Sequence, residues 1–281
     1  MPNNPEFPSQ PDIIALLPAG GQATRLSPLP LSKELYPVGF RATDSGLKPK
    51  VVAHYLLEKM RRSGITKAFF ILRPGKWDIP AYFGDGAMLD LPIGYLTVHV
   101  PHGVPYTLNQ AYPFVQNALV AIGFPDILFE PADAYAHLIV RQSRSQADVV
   151  LGLFPTEHYW KAGMVDFDDS GRVRQIIEKP KMSELPRNFE LKYMWAIALW
   201  TPRFTQFLHD YLAAIPNPAQ EIPIGDVIQA SIQSGLQVEA VPFPNGSYLD
   251  VGTPADLMTA ILAHTPRSPQ ESPETLPESE L

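Results

Sequence analysis

The sequence predicts an α/β fold: one domain with a mixed, mostly parallel central sheet and helices on both faces. Three observations predict it. Short apolar runs alternate with helical stripes through the body of the chain, the order that builds parallel strands joined by crossover helices. The first run, Ile13 to Leu17, breaks directly into a loop carrying Gly20 and Gly21, and open sheets of this class bind ligands at the carboxyl ends of their strands. With 281 residues the chain can bury the core of one such domain, and nothing in it requires two.

The elements follow in order. After the first strand, Val52, Tyr55, Leu56 and Met60 form a helical stripe over 51–60. Arg61 and Arg62 near its end and Gly64 beyond suit a C-terminal cap. The run A-F-F-I-L (68–72) reads as the next strand, followed by strands at 94–100, 119–122, 148–153 and 193–200. Between them Leu108, Ala111, Tyr112 and Val115 are spaced for one helix, and Ala136, Ile139 and Val140 for another. Segments 164–167 and 173–177, joined by Asp168-Asp169-Ser170-Gly171, read as a β-hairpin, which inserts an antiparallel piece. Two late helices, 224–234 and 254–263, close a single Rossmann-like domain over residues 12–264. Trp160, Trp195 and Trp200 are expected in the core, and association with a second copy of the chain stays open.

Both ends read as disordered tails. Residues 1–11 carry four prolines, and 265–281 are rich in Pro, Ser and Glu with little apolar content. The formal net charge of −7 argues against a nucleic-acid partner, which needs a basic face. No apolar run reaches the ~18 residues that would span a membrane, and the first residues lack the parts of a signal peptide, so a cytoplasmic location is expected. The chain has no cysteine, which excludes disulfides, thiolate nucleophiles and cysteine-held zinc.

The chemistry concentrates in the first loop. Gly20, Gly21, Gln22, Ala23, Thr24 and Arg25, with Lys33 a short step on, suit a polyphosphate. Glycines let backbone N–H groups approach phosphate oxygens, and two cations balance the charge. The string Gly20-Gly21-x-x-Thr24-Arg25-Leu26-x-Pro28, then Lys33, Leu35 and Pro37, resembles the signature of the sugar-1-phosphate nucleotidyltransferases, the nucleotide-sugar pyrophosphorylases. Where that family has a third glycine this chain has Ala23. If the position needs a positive φ, alanine costs energy that glycine does not.

The other motifs gain meaning from this resemblance. Asp126, after an apolar strand, reads on spacing alone as a turn or capping aspartate, and Asp250 precedes a Gly-Thr-Pro helix start in which Thr253 is the cap. The resemblance implies that both hold Mg²⁺, with Asp133 the rival to Asp126. Glu178-Lys179-Pro180, otherwise a solvated charge pair, resembles the family element in which Glu binds a sugar hydroxyl and Lys the sugar phosphate. Gly163 and Glu221 fall where the family builds its sugar pocket, although Ala162 replaces an aromatic residue. The segment 99–108, in the place of the base-reading loop, is longer than usual.

The resemblance implies transfer of a nucleotidyl group from a nucleoside triphosphate to a sugar 1-phosphate, with Arg25 and Lys33 catalytic. The motifs divide between thymidylyl- and uridylyltransferases, with a slight lean to dTTP and glucose 1-phosphate. Two alternatives compete: a binding or regulatory protein of the same fold, and a cytidylyl- or molybdopterin-type nucleotidyltransferase, which lacks the Glu-Lys-Pro and Asp-x-Gly-Thr elements.

Overall fold

A computed structural model describes residues 12–98, 102–186, 189–216 and 218–265. The chain begins with β1 (Ile13–Ala19), a hairpin of β2 (Pro37–Thr43) and β3 (Gly46–Val51), helix α1 (Val52–Arg62), β4 (Lys67–Leu72), α2 (Asp78–Phe83) and β5 (Ile93–Thr97). The middle holds α3 (Val104–Asn109), α4 (Tyr112–Val115), β6 (Leu119–Ile122), β7 (Ile127–Glu130), α5 (Ala134–Ser145), β8 (Val149–Pro155), β9 (Gly163–Phe167) and β10 (Val173–Glu178). It ends with β11 (Tyr193–Trp200), α6 (Pro202–Ala213), α7 (Ile224–Gln233), β12 (Val238–Pro242), β13 (Ser247–Asp250) and α8 (Pro254–His264).

The main sheet runs β10-β9-β11-β6-β1-β4-β5, with β8 pairing β11 and β12 pairing β8. Its middle is parallel, through β6-β1, β1-β4 and β4-β5. β11 turns the pattern antiparallel against β6, β8 and β9. This is the expected mixed sheet, and β1 shows why both faces are covered. Ala15, Leu17 and Ala19 enter one hydrophobic cluster with residues of α1 and α5, whereas Ile14 and Leu16 enter a second with residues of α3, α6 and α7. Alternate side chains of a strand point to opposite faces, so a continuous apolar run demands a layer on each.

Local signals hold at most boundaries. α1 carries Lys59, Arg61 and Arg62 in its last turn, where cations complement the helix dipole, and Gly64 beyond it has φ +88°. The hairpin of β9 and β10 forms as read. The expected helix through Leu108 and Val115 is instead two, α3 and α4. Pro113 has no N–H and its ring would clash with the carbonyl of Asn109, so the first helix stops there. Trp195 and Trp200 are buried as expected, but Trp160 is half exposed, held in a one-turn helix between two strands, and leaves the core. The hairpin of β2 and β3 and the two-stranded ladder of β7 and β13 are absent from the sequence reading, because these short segments lack a clear period. No helix among the described residues is long and apolar enough to cross a membrane. Residues 1–11, 266–281 and 99–101 of the base-reading segment lie outside the described residues.

Candidate active site

The glycine loop leaves β1 at its carboxyl end, next to β4 and β6. The N–H groups of Leu26 and Ser27 both donate to the Ala23 carbonyl, closing a tight turn. Ala23 takes φ +52° there. The missing third glycine therefore does fall at a left-handed position, where a Cβ costs roughly 1–2 kcal/mol. Ala23→Gly should raise stability by about 0.5–1 kcal/mol, the relief less the extra freedom of the unfolded chain. A higher midpoint in urea checks this, and an unchanged or lower midpoint refutes it. At Gly21 an added Cβ meets no protein atom within 4 Å. Packing does not require that glycine; its bare backbone faces open space.

Lys33 opens a short 3-10 turn fixed by the buried Leu35, and its ammonium pairs with Asp126. Asp126 lies between β6 and β7, and its carbonyl accepts from Val251 N–H at 2.9 Å. Strands β7 and β13 pair so that Asp250 stands opposite Ile127. That register brings residues 126 and 250 side by side although the chain separates them widely. One Asp250 oxygen is buried with no hydrogen-bond partner. The Arg25 guanidinium lies over Gly252, where an added Cβ would come within 2.8 Å of it and 3.3 Å of both Asp250 oxygens. Thr253 caps α8 by accepting from Asp256 N–H, with Pro254 at the first helical position, so the cap also anchors the loop that aims Asp250.

The electrostatics are tense. Burial pushes the Asp250 carboxyl up and the Asp126 charge adds to it, against the pull of Lys33 and Arg25. Burial would depress the Lys33 ammonium, but Asp126, Asp250 and Glu34 together hold it above its ordinary value. The Tyr248 phenol, buried beside the two aspartates, is raised by burial first and by their charges second. Two hard carboxylates, one with an oxygen left free, form a donor set that fits Mg²⁺, which takes one or two carboxylates and completes its shell with water and phosphate oxygens. Asp133 is not a member. It stands at the exposed start of α5 beside His137.

Asp126 and Asp250 also edge a cavity of about 470 Å³ whose lining includes Gly163, Glu178, Lys179, Trp195 and Glu221. The two aspartates and the motifs around Gly163, Glu178 and Glu221 thus line one cavity, while Gly21, Gln22 and Ala23 line another. Glu178 accepts from Trp195 Nε1 at 3.3 Å and from the Gly225 backbone N–H, and burial raises its carboxyl. Lys179 takes φ +45°, a left-handed conformation costing roughly 1–3 kcal/mol, pinned by its N–H donating to the Ala162 carbonyl at 3.0 Å. Gly163 has a steric reason: a Cβ there would be 2.4 Å from Trp195 Nε1 and 2.5 Å from Glu178 Oε1. Sequence reasoning missed Trp195, Gly225 and Tyr248 as site residues. Trp195 reads as a strand residue and Gly225 as one more glycine, and only packing aims them at Glu178.

The chain is 26% identical over 249 residues to the low-salt glycan biosynthesis nucleotidyltransferase Agl11 of Haloferax volcanii, covering 87% of this chain and 64% of that protein. The chain therefore spans under two thirds of the length of that relative. It is 28% identical over 254 residues to a glucose-1-phosphate thymidylyltransferase of Xanthomonas campestris, covering 86% of this chain and 77% of that one. Its fold superposes on a UDP-glucose pyrophosphorylase solved with UDP-glucose, at a TM-score of 0.73 and 18% identity, covering 90% of this chain and 98% of that one. The family model for nucleotidyl transferases matches residues 14–266, which takes in the glycine loop, both aspartates and the sheet that joins them, and the chain belongs to that family.

Proposed function

We propose that this protein transfers a nucleotidyl group from a nucleoside triphosphate, dTTP ahead of UTP, to glucose 1-phosphate in a Mg²⁺-dependent reaction, releasing pyrophosphate. The observation that carries this reading is the meeting of Lys33, Asp126 and Asp250 at the edge of a cavity that also holds Glu178 and Lys179. Asp126 and Asp250 would hold the ion, which supplies charge neutralisation between the two phosphates. The activity of the Xanthomonas relative supports the thymidylyl lean.

An oxygen of the sugar phosphate, positioned by Lys179, forms the new bond to the α-phosphorus, and the bond from that phosphorus to the bridging oxygen of pyrophosphate breaks. Glu178 accepts a hydrogen bond from a sugar hydroxyl and fixes the acceptor's orientation. The loop amides and Lys33 meet charge developing on the donor, while Arg25 steadies the acidic pair from the side of Gly252. Catalysis on this scheme is positioning plus electrostatics, with no covalent enzyme intermediate.

The test is incubation with Mg²⁺, glucose 1-phosphate and each of four triphosphates, with pyrophosphate measured. Release with dTTP, and slower release with UTP, is expected. Binding of nucleotide sugar with no release from any triphosphate would identify a binding protein instead.

A further inference from the structure

A second cavity, of about 440 Å³, opens beside the glycine loop. Gly21, Gln22 and Ala23 form one wall, and Arg73, Gly75 and Lys76, from the loop after β4, form another. Lys33 lines this cavity, whereas its ion-pair partner Asp126 lines the sugar-side cavity. The Lys33–Asp126 pair therefore stands between the two.

The lining of this cavity holds more cations than carboxylates. Three cations, Lys33, Arg73 and Lys76, face one carboxylate, Asp78. Asp78 is already engaged, since its oxygens accept from Ser32 N–H at 2.6 Å and Ser32 Oγ at 2.7 Å. Lys76 is only 5% exposed and donates to Glu34 Oε1 at 2.6 Å. The other Glu34 oxygen and the Arg73 Nε are both buried without a hydrogen-bond partner. Arg73 lines the cavity, where its guanidinium can meet an anionic oxygen in a charge-assisted hydrogen bond. A buried lysine–glutamate pair is weak as a stabilising device, but it holds an ammonium rigidly at a chosen place.

The reaction geometry says which anion. In phosphoryl-type transfer the attacking and leaving oxygens lie roughly in line on opposite sides of phosphorus. With the sugar phosphate in the first cavity and the α-phosphorus beside Lys33 and Asp126, the leaving group points into the second. We propose that Arg73 and Lys76 bind the β- and γ-phosphates of the donor and then the departing pyrophosphate, as a cationic subsite beyond the glycine-loop signature. This rests on the transferase reading above.

The test is calorimetric titration of the full chain with inorganic pyrophosphate in the presence of Mg²⁺. Arg73→Gln is expected to weaken pyrophosphate binding ~10-fold or more, the size of one lost charge-assisted contact, with dTDP-glucose binding left as in the wild type. Arg73→Lys should recover part of the loss. Because Lys76→Met alone strands the buried Glu34, it is paired with Glu34→Gln, and the double variant should also bind pyrophosphate more weakly, with its folding followed by circular dichroism. Wild-type affinity in Arg73→Gln, or no pyrophosphate binding by the wild type, overturns the proposal. If the substrate screen releases pyrophosphate but Arg73→Gln binds it normally, the subsite falls and the transferase reading stands. If no triphosphate is consumed, the transferase reading falls and the leaving-group role with it, even where pyrophosphate binding still depends on Arg73.

Discussion

Asp250→Asn is expected to slow pyrophosphate release by ~10²–10³-fold while leaving the fold as stable as before or more so. The two halves of this result have one cause. Asp250 stands beside Asp126 in a half-buried place, and its carboxyl is pushed up by burial first and by that like charge second. A carboxyl with a raised folded pKa is bound to its proton more tightly in the folded state. Its ionised form therefore subtracts stability as pH rises from the ordinary 3.8 through the raised folded value, and the loss is complete above that value. Asparagine keeps the shape and removes that penalty. It also removes half of the acidic pair that the transferase reading requires for the ion. Thermal unfolding and initial rates on the same sample check both halves. A residue placed only for the fold would give the reverse pattern, a lower Tm with activity per folded molecule intact, and that outcome would remove Asp250 from the reaction.

Gly225→Ala should raise KM for the sugar 1-phosphate ~10–100-fold and leave KM for the triphosphate near wild type. A Cβ at this position would stand 1.9 Å from Glu178 Oε1 and 2.7 Å from its Cδ. No rotation of the methyl relieves such an overlap, so Glu178 must move off its hydrogen bonds to Trp195 and the Gly225 N–H. Those contacts are what hold the carboxylate within the sugar-side cavity. The glycine lies in the buried first turn of α7, so overpacking should also lower stability by about 1–3 kcal/mol. Assays are therefore read at a temperature well below unfolding. An equal rise in both KM values, or none in either, would show that Glu178 does not select the sugar.

Much of the fold was legible because it rests on burial. The first strand, the helix after it, the hairpin of β9 and β10, and the paired run at Tyr193–Trp200 all declare themselves through apolar period and turn residues, and these signals are local. The split between α3 and α4 was less legible, since the stripe at Leu108 and Val115 is real while Pro113 interrupts it. The short partners β7 and β13 were not legible, because a four-residue strand gains its meaning only from the strand it pairs with.

The same division runs through the site. Residue identity by itself determined which groups carry charge and which backbone is bare: Gly20, Gly21, Arg25, Lys33, Asp126, Glu178, Lys179 and Asp250 are all readable in order along the chain. It also singled out Ala23, in the place of a family glycine, as strained if its φ is positive, and the fold gives it φ +52°. Only the tertiary structure decided that Lys33 pairs with Asp126, that the β7–β13 register sets Asp250 beside it, and that Trp195 and Gly225 grip Glu178. The physical reason is range. Helix and strand periods and turn chemistry act within a few residues, whereas the distance between two carboxylates more than a hundred residues apart depends on every layer packed between them.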